Sequence, residues 1–157
     1  MMIIIVSGTP GTGKTTLSKK LAQKLNYKYL DVAKLIKEKD LQESYDKKRK
    51  TYIVDIKKLN KELIKIIKTS KNLIIDSHLS HYLPKKYIDL CIITKCNLKE
   101  LEKRLKKKKC SKAKIRENLD CEIFDVCLNE AKEAGHKILI INTTKGIDIN
   151  KIIKEIK

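Results

Sequence analysis

Gly8-Thr9-Pro10-Gly11-Thr12-Gly13-Lys14-Thr15 has the composition of a phosphate-gripping loop. Glycines let successive backbone N–H groups turn inward toward phosphate oxygens, and the closing lysine brings a cation within reach of the β- and γ-phosphates. A hydroxyl directly after that lysine is placed to ligate Mg²⁺. The pattern carries this meaning only between a strand and a helix. Met2-Ile3-Ile4-Ile5-Val6 before it is a short β-branched run, and Leu17, Leu21 and Leu25 after it recur at helical spacing. The segment therefore predicts a nucleoside triphosphate site built on the loop glycines, Lys14 and Thr15.

A second group of residues completes such a site. Asp76 ends the apolar run Asn72-Leu73-Ile74-Ile75, where P-loop proteins keep a carboxylate that holds Mg²⁺ together with the loop hydroxyl, here Thr15. His78, two residues on, could as a neutral imidazole orient a water or an acceptor beside the metal; His81 reads as a hydrogen-bonded loop histidine. Arg104, Lys108 and Arg116 flank the run Lys106 to Lys109, and helix, basic loop, helix is the pattern of a lid closing over phosphates. Where lysine is the default cation, each arginine suggests a need for its planar fork. Asn142-Thr143-Thr144 is a candidate reader of a purine edge.

The elements that must hold these residues follow from periodicity. Strands are expected at Met2–Val6, Tyr27–Leu30, Asn72–Asp76, Asp89–Thr94 and Lys137–Ile141. Helices are expected after Thr15, over Val32 to about Lys39, from Asp55 as N-cap, and from Asn97, where Glu100 suggests a capping box. One further helix runs from Ser111 through Ile115, Leu119, Ile123 and Val126 to Gly135, and a last one covers Ile149 to Lys157. Gln42 to Thr51 is expected as an exposed loop. Apolar strands without alternation, separated by helices, imply an α/β fold with a five-stranded parallel sheet covered on both faces, as in P-loop nucleoside monophosphate kinases.

Composition bounds the rest. With 157 residues, 41% hydrophobic and 36% charged, one globular domain is expected. No apolar run nears the roughly 20 residues of a membrane span, and no basic n-region precedes the first apolar run, so a cytoplasmic protein is expected. The 37 basic residues against 19 acidic ones give a net charge of +18, a field that attracts nucleotides, RNA or an RNA-rich assembly, or simply keeps a lysine-rich surface wet. Five cysteines without a C-x₂-C pair argue against zinc or a disulfide framework; Cys91, Cys121 and Cys127 read as small buried hydrophobes.

The loop Gly8–Thr16, the triplet Asp76-Ser77-His78 and the stretch Glu117-Asn118-Leu119-Asp120-Cys121-Glu122-Ile123-Phe124 together resemble the atypical adenylate kinases of archaea and eukaryotic nuclei. The resemblance runs from Met2 to about Ala134. It implies ATP, its phosphates bound by Gly11, Gly13, Lys14, Thr15 and Thr16, with Mg²⁺ as cofactor. AMP is implied as acceptor, bound by Asp31 to about Val54, with Lys106 to about Arg116 as lid. It also implies a part in small-ribosomal-subunit maturation, with a ribosomal protein and rRNA as partners. Lys37 stands where an AMP-gripping arginine is usual, and Lys108-Lys109-Cys110 where Arg-Gly-Tyr is usual; Arg-to-Lys is not conservative at a phosphate.

The expected activity is ATP + AMP giving two ADP, with accompanying ATPase activity. Lys14, Asp76, His78, Arg104 and Arg116 are the residues expected to carry it, Lys108 adds a nucleotide contact, and Thr15 and Asp76 hold the metal. A monomer is expected. The alternatives are a ribosome-assembly ATPase switch and a small-molecule kinase of similar fold.

Overall fold

The computed structural model describes residues 1–47 and 51–157. The unbroken apolar run that starts the chain forms β1 (Met2–Gly8), the middle strand of a parallel sheet. Strand geometry splits this run between two faces. Ile3 and Ile5 enter one core with Leu73, Ile75, Cys91 and Ile93, whereas Ile4 and Val6 enter the other with Ile74, Leu90 and Ile92. That is why no polar residue interrupts these strands.

The chain continues through α1 (Lys14–Leu25), β2 (Lys28–Asp31), α2 (Val32–Glu38), β3 (Gln42–Asp46), β4 (Thr51–Val54), α3 (Ile56–Lys68) and β5 (Asn72–Asp76). Two short 3₁₀ turns lead to β6 (Leu90–Lys95), then α4 (Leu98–Lys107), α5 (Lys112–Ile123), α6 (Val126–Glu133), β7 (Ile138–Asn142) and α7 (Ile149–Ile156). The sheet is five-stranded and parallel, as the sequence leads one to expect, and its order is β2-β5-β1-β6-β7. Leu59, Leu63 and Ile67 of α3 and Ala131 of α6 cover one face; Leu17 and Leu21 of α1 and Ile152 of α7 cover the other. The caps form as read: Asp55 accepts from Lys57 and Lys58 N–H, and Ser111 from Lys114 N–H.

Five local expectations are corrected. Gln42 to Thr51 is not a loop; β3 and β4 pair as an antiparallel hairpin, with Lys48, Arg49 and Lys50 outside the described residues. The centre of β3, Glu43 to Tyr45, is exposed, so no apolar alternation announces it. Asn97 caps α4 through Glu100 N–H at 2.8 Å, but the reciprocal half of the box is absent, because Asn97 N–H goes to Thr144 Oγ1 and the Glu100 side chain to Arg104.

The helix expected from Ser111 to Gly135 is two helices. The chain breaks at Phe124 and Asp125, the latter with φ of 50°, where Lys95 draws the carboxylates of Glu122 and Asp125 to one ammonium. Its buried face is also not the expected one: Ile123 and Val126 are exposed, and Asn118 and Glu122 are inside. Finally, Lys106 and Lys107 are helical, which shortens the basic linker to residues 108–111.

Candidate functional site

Parallel register is what gathers the site. Val6 pairs with Asp76, Asp31 with Asp76, and Gly8 with Thr94, so the carboxyl ends of β1, β2, β5 and β6 finish at one edge. Ligands of open α/β sheets bind beyond that edge. The glycine loop leaves it between β1 and α1 under tight steric conditions. A Cβ on Gly8 would stand 2.4 Å from Thr94 Oγ1, and Gly13 caps α1 with φ of 93°, a conformation that favours glycine. Thr12 closes the loop on itself by donating to Thr9 O at 2.6 Å.

Lys14 leans back over this loop, its Nζ 3.2 Å from Thr9 O. Burial lowers its amine to about 8 against the opposing pull of Asp76. An ATP phosphate chain would favour the charged form. Below pH 8 the ammonium is already present, so ATP affinity is expected to be flat. Above pH 8 binding must take up a proton, and the dissociation constant is expected to rise by up to about tenfold per pH unit. Calorimetric titration from pH 6.5 to 9.5 checks this, with Lys14→Met as the variant in which that rise disappears.

Asp76 is 6% exposed, and one of its oxygens, Oδ2, accepts from both Thr15 Oγ1 at 2.7 Å and Tyr29 Oη at 2.8 Å. Two donors on one oxygen fix the carboxylate and leave Oδ1 without a protein partner among the described residues. A hydroxyl and a hard carboxylate oxygen suit Mg²⁺, which takes few protein ligands and completes its shell with phosphate and water. Thr15 and Asp76 therefore fit the metal expected there. Tyr29 went unnoticed in the sequence, because only the pairing of β2 with β5 brings it to Asp76.

His78 stands at the mouth of the same cleft. The residue is exposed, but the protein packed around the ring and the charge of Lys14 lower its imidazole to about 4, so it is neutral at neutral pH. Together with Lys14, Thr15, Asp76 and Leu79 it lines a cavity of about 400 Å³ that runs under α2 and β4. Ala33, Ile36, Val54 and Ile56 make its apolar wall, and Asp31, Lys37 and Gln42 its polar contacts. His81 is the structural histidine expected: its Nδ1 lies 2.7 Å from Ser7 Oγ, in the wall behind the loop.

The arginines are placed otherwise than expected. Arg104 spends its guanidinium on protein, donating to Glu100 at 3.2 Å, to Gly11 O at 3.4 Å, and to Thr143 Oγ1 and O at 3.2 and 2.7 Å. It braces α4 against the glycine loop. Arg116 is 73% exposed and pairs with Asp120, away from the loop. Lys108 is exposed, but its charge reaches Lys14. Thr16 is exposed on the first turn of α1.

Thr143 is 2% exposed and donates to Thr12 O at 2.5 Å, so it is a strut of the loop rather than a free reader of a base. Asn142 and Thr144 instead line a separate hollow with Asn97 and Lys145. Cys121 is not simply a buried hydrophobe: it is half-buried and accepts from Thr9 Oγ1 at 3.5 Å. Glu122, beside it, accepts from Thr9 Oγ1 at 3.0 Å, from Lys95 at 2.9 Å and from Cys96 N–H at 2.8 Å. α5 is thus tied directly to the glycine loop.

Residues 4–125 match the family model described as AAA domain. A protein of Methanocaldococcus jannaschii named "Putative adenylate kinase" is 38% identical over 99% of this chain and 84% of its own length. The chain belongs to this family. An adenylate kinase isoenzyme 6 homolog of Dictyostelium discoideum is 33% identical over 88% of this chain and 78% of its own. The fold recurs more widely. Shikimate kinase from Acinetobacter baumannii superposes with a TM-score of 0.70 at 17% identity, over 99% of this chain and 93% of that one. Deoxyadenosine kinase from M. mycoides gives 0.65 at 16% identity, over 99% of each chain. No helix among the described residues is long and apolar enough to cross a membrane.

Proposed function

We propose that the protein transfers the terminal phosphoryl group of ATP to AMP, giving two ADP, and hydrolyses ATP slowly when no acceptor is bound. The observation that carries this reading is the shape and lining of one cleft. Lys14, Thr15 and Asp76 form one wall, and an apolar bay of Ala33, Ile36, Val54, Ile56 and Leu79 opens directly from them. A flat base fits such a bay, with its phosphate turned toward Lys14. Among the described residues that line it, Lys37 is the one cation besides Lys14 that a polyhydroxylated carboxylic acid would meet. The names of the relatives point the same way.

In this reading Lys14 and the N–H groups of Gly11, Gly13, Thr15 and Thr16 hold the ATP phosphates, with Lys108 approaching as the linker closes. Thr15 and Asp76 would hold Mg²⁺, which would supply neutralisation of phosphate charge. Asp76 is held in place for that task by Tyr29. His78, neutral, accepts a hydrogen bond from the attacking water in hydrolysis. In transfer to AMP the attacking atom is instead an oxyanion of the AMP phosphate, which has no proton to give up. AMP needs no strong base, because such transfer depends on positioning and electrostatics. Arg104 contributes by stiffening the loop.

The test is ADP formation from Mg-ATP, alone and with AMP, CMP, GMP or shikimate. AMP is expected to raise the rate at least about tenfold over the hydrolytic background, and the other acceptors less. A rate unaffected by AMP would leave an ATPase, and a larger response to shikimate would make it a small-molecule kinase.

The second reading, a ribosome-assembly role in the cytoplasm, rests on the net charge of +18 and on the basic clusters Lys47 to Lys50 and Lys106 to Lys109 in the sequence. Small-subunit protein or rRNA captured from extract only in one nucleotide state would support it, since linkage is reciprocal.

A further inference from the structure

A buried polar chain lies in the wall behind the glycine loop. Ser7, the residue before Gly8, is 0% exposed, and its Oγ stands 2.7 Å from His81 Nδ1. His81 is itself 1% exposed, within the short turn Ser80–Tyr82. Across its ring, Nε2 faces Glu130 Oε2 of α6 at 3.6 Å and makes no hydrogen bond. That gap is about 0.7 Å wider than an ordinary N–H···O bond. His136 donates from Nε2 to the His81 carbonyl at 2.9 Å, so the turn is held from a second side.

Burial holds the His81 ring below the usual histidine range, against the pull of Glu130, so it is neutral at neutral pH. A neutral imidazole carries a single N–H. The Glu130 carboxylate only accepts and therefore draws that hydrogen to Nε2. Nδ1 is left as an acceptor, and the Ser7 hydroxyl donates to it. Serine, histidine and glutamate in this order would suit a hydrolase, but Ser7 has no exposed surface from which to attack a substrate. Packing alone is no better an account. A ring sealed in the core with one nitrogen unbonded costs stability that leucine would not.

The chain joins two parts of the site. Ser7 leads into the loop that carries Lys14, and the turn that carries His81 begins two residues after His78. We propose that His81 is a positioning residue for phosphoryl transfer, bonded to Ser7 and oriented by Glu130 so that the root of the glycine loop and the His78 segment keep one relative position. The naming of the reaction rests on the ATP-dependent reading above. Binding of ATP tolerates a small shift of this frame. Transfer does not, because a misplacement of about 1 Å remote from the chemistry costs about a hundredfold in rate.

The test measures ATP turnover, KM for Mg-ATP, thermal melting and imidazole ¹⁵N shifts in the wild type, His81→Leu, His81→Asn and Glu130→Ala. The chain has three histidines, so the resonances assign by substitution. His81→Leu is expected to melt no lower than the parent, yet to lose about tenfold in kcat while KM stays within about twofold. His81→Asn, whose side-chain amide reaches where Nδ1 stands, should recover most of kcat by bonding Ser7. The wild-type spectrum should show His81 as the Nε2–H tautomer. Glu130→Ala should mix in the Nδ1–H form and lose about threefold in kcat.

Wild-type kcat in folded His81→Leu overturns the proposal. So does a loss of kcat that asparagine does not rescue and that runs with the melting temperature, the mark of a purely structural histidine. Should His81→Leu not fold, Glu130→Ala, altered at a side chain 30% exposed, decides instead: an unchanged tautomer and rate overturn the proposal. The turnover compared is that of ATP alone. A wild-type protein that ignores AMP therefore overturns the acceptor reading and leaves His81 to the same comparison, whereas one with no ATP turnover overturns both.

Discussion

Lys14→Ala folds and melts within a few degrees of the parent protein, but its ATP turnover falls about a thousandfold, the scale seen when one preorganised donor to developing charge is removed. Stability is spared because the lysine amine is a strained tenant: burial already lowers it to about 8, and its one protein bond is the 3.2 Å contact to Thr9 O. Removing it leaves no carboxylate stranded, since Asp76 keeps Thr15 and Tyr29. Turnover suffers because no other ammonium has the same position. Lys108 is exposed, and Arg104 is bound to protein. A coupled ADP assay beside a thermal melt measures both quantities. Turnover within a few-fold of the parent would mean that the loop does not act on phosphate.

Glu122→Ala is expected to lower stability by about 3 kcal/mol, because deleting one member of a buried charged network strands its partners. The side chain is 4% exposed, and three groups depend on it: Thr9 Oγ1, Lys95 Nζ and Cys96 N–H. Lys95 retains Asp125, which holds the loss toward the lower end of that range. For a chain of this size the melting temperature should fall by about 9 °C. The change should also weaken ATP binding, because Thr9 sits inside the glycine loop and loses its tie to α5. Thermal melts with and without Mg-ATP separate the two effects. A smaller ATP-induced rise in melting temperature than in the parent shows that the loop has loosened, and an equal rise would confine Glu122 to stability.

Much of this protein is legible without its structure, and the reason is locality. Strand, glycine loop, lysine and helix are contiguous, so the chemistry of Lys14 and Thr15 is written in adjacent residues. Caps are equally local: Asp55 and Ser111 act within three residues of themselves. The sheet was legible because strands buried on both faces must be apolar throughout, as Ile3 to Val6 are. Asp76 could be singled out because a carboxylate ending such a run has an evident reason to be there.

Tertiary structure decided what depends on residues far apart in the chain. Tyr29 is unremarkable in a short strand until β2 pairs with β5 and places its hydroxyl 2.8 Å from Asp76. The hairpin of β3 and β4 pairs the polar Gln42–Asp46 with the short run Thr51–Val54, so one of its two strands carries no apolar signal. The two arginines showed the limit of reading residue type as role. The guanidinium fork of Arg104 binds the carbonyls of Gly11 and Thr143, and that of Arg116 a neighbouring aspartate.

The face that α5 presents was set by ion pairing rather than by hydrophobicity. Lys95, at the end of β6, takes Glu122 and Asp125 together, turns the helix so that Asn118 and Glu122 go inward, and leaves Ile123 and Phe124 in solvent. Apolar periodicity predicts the buried side of a helix when burial of carbon is the largest energy at stake. Here a buried carboxylate with three donors outweighs two isoleucine-sized side chains, and that balance exists only once β6 and α5 have met.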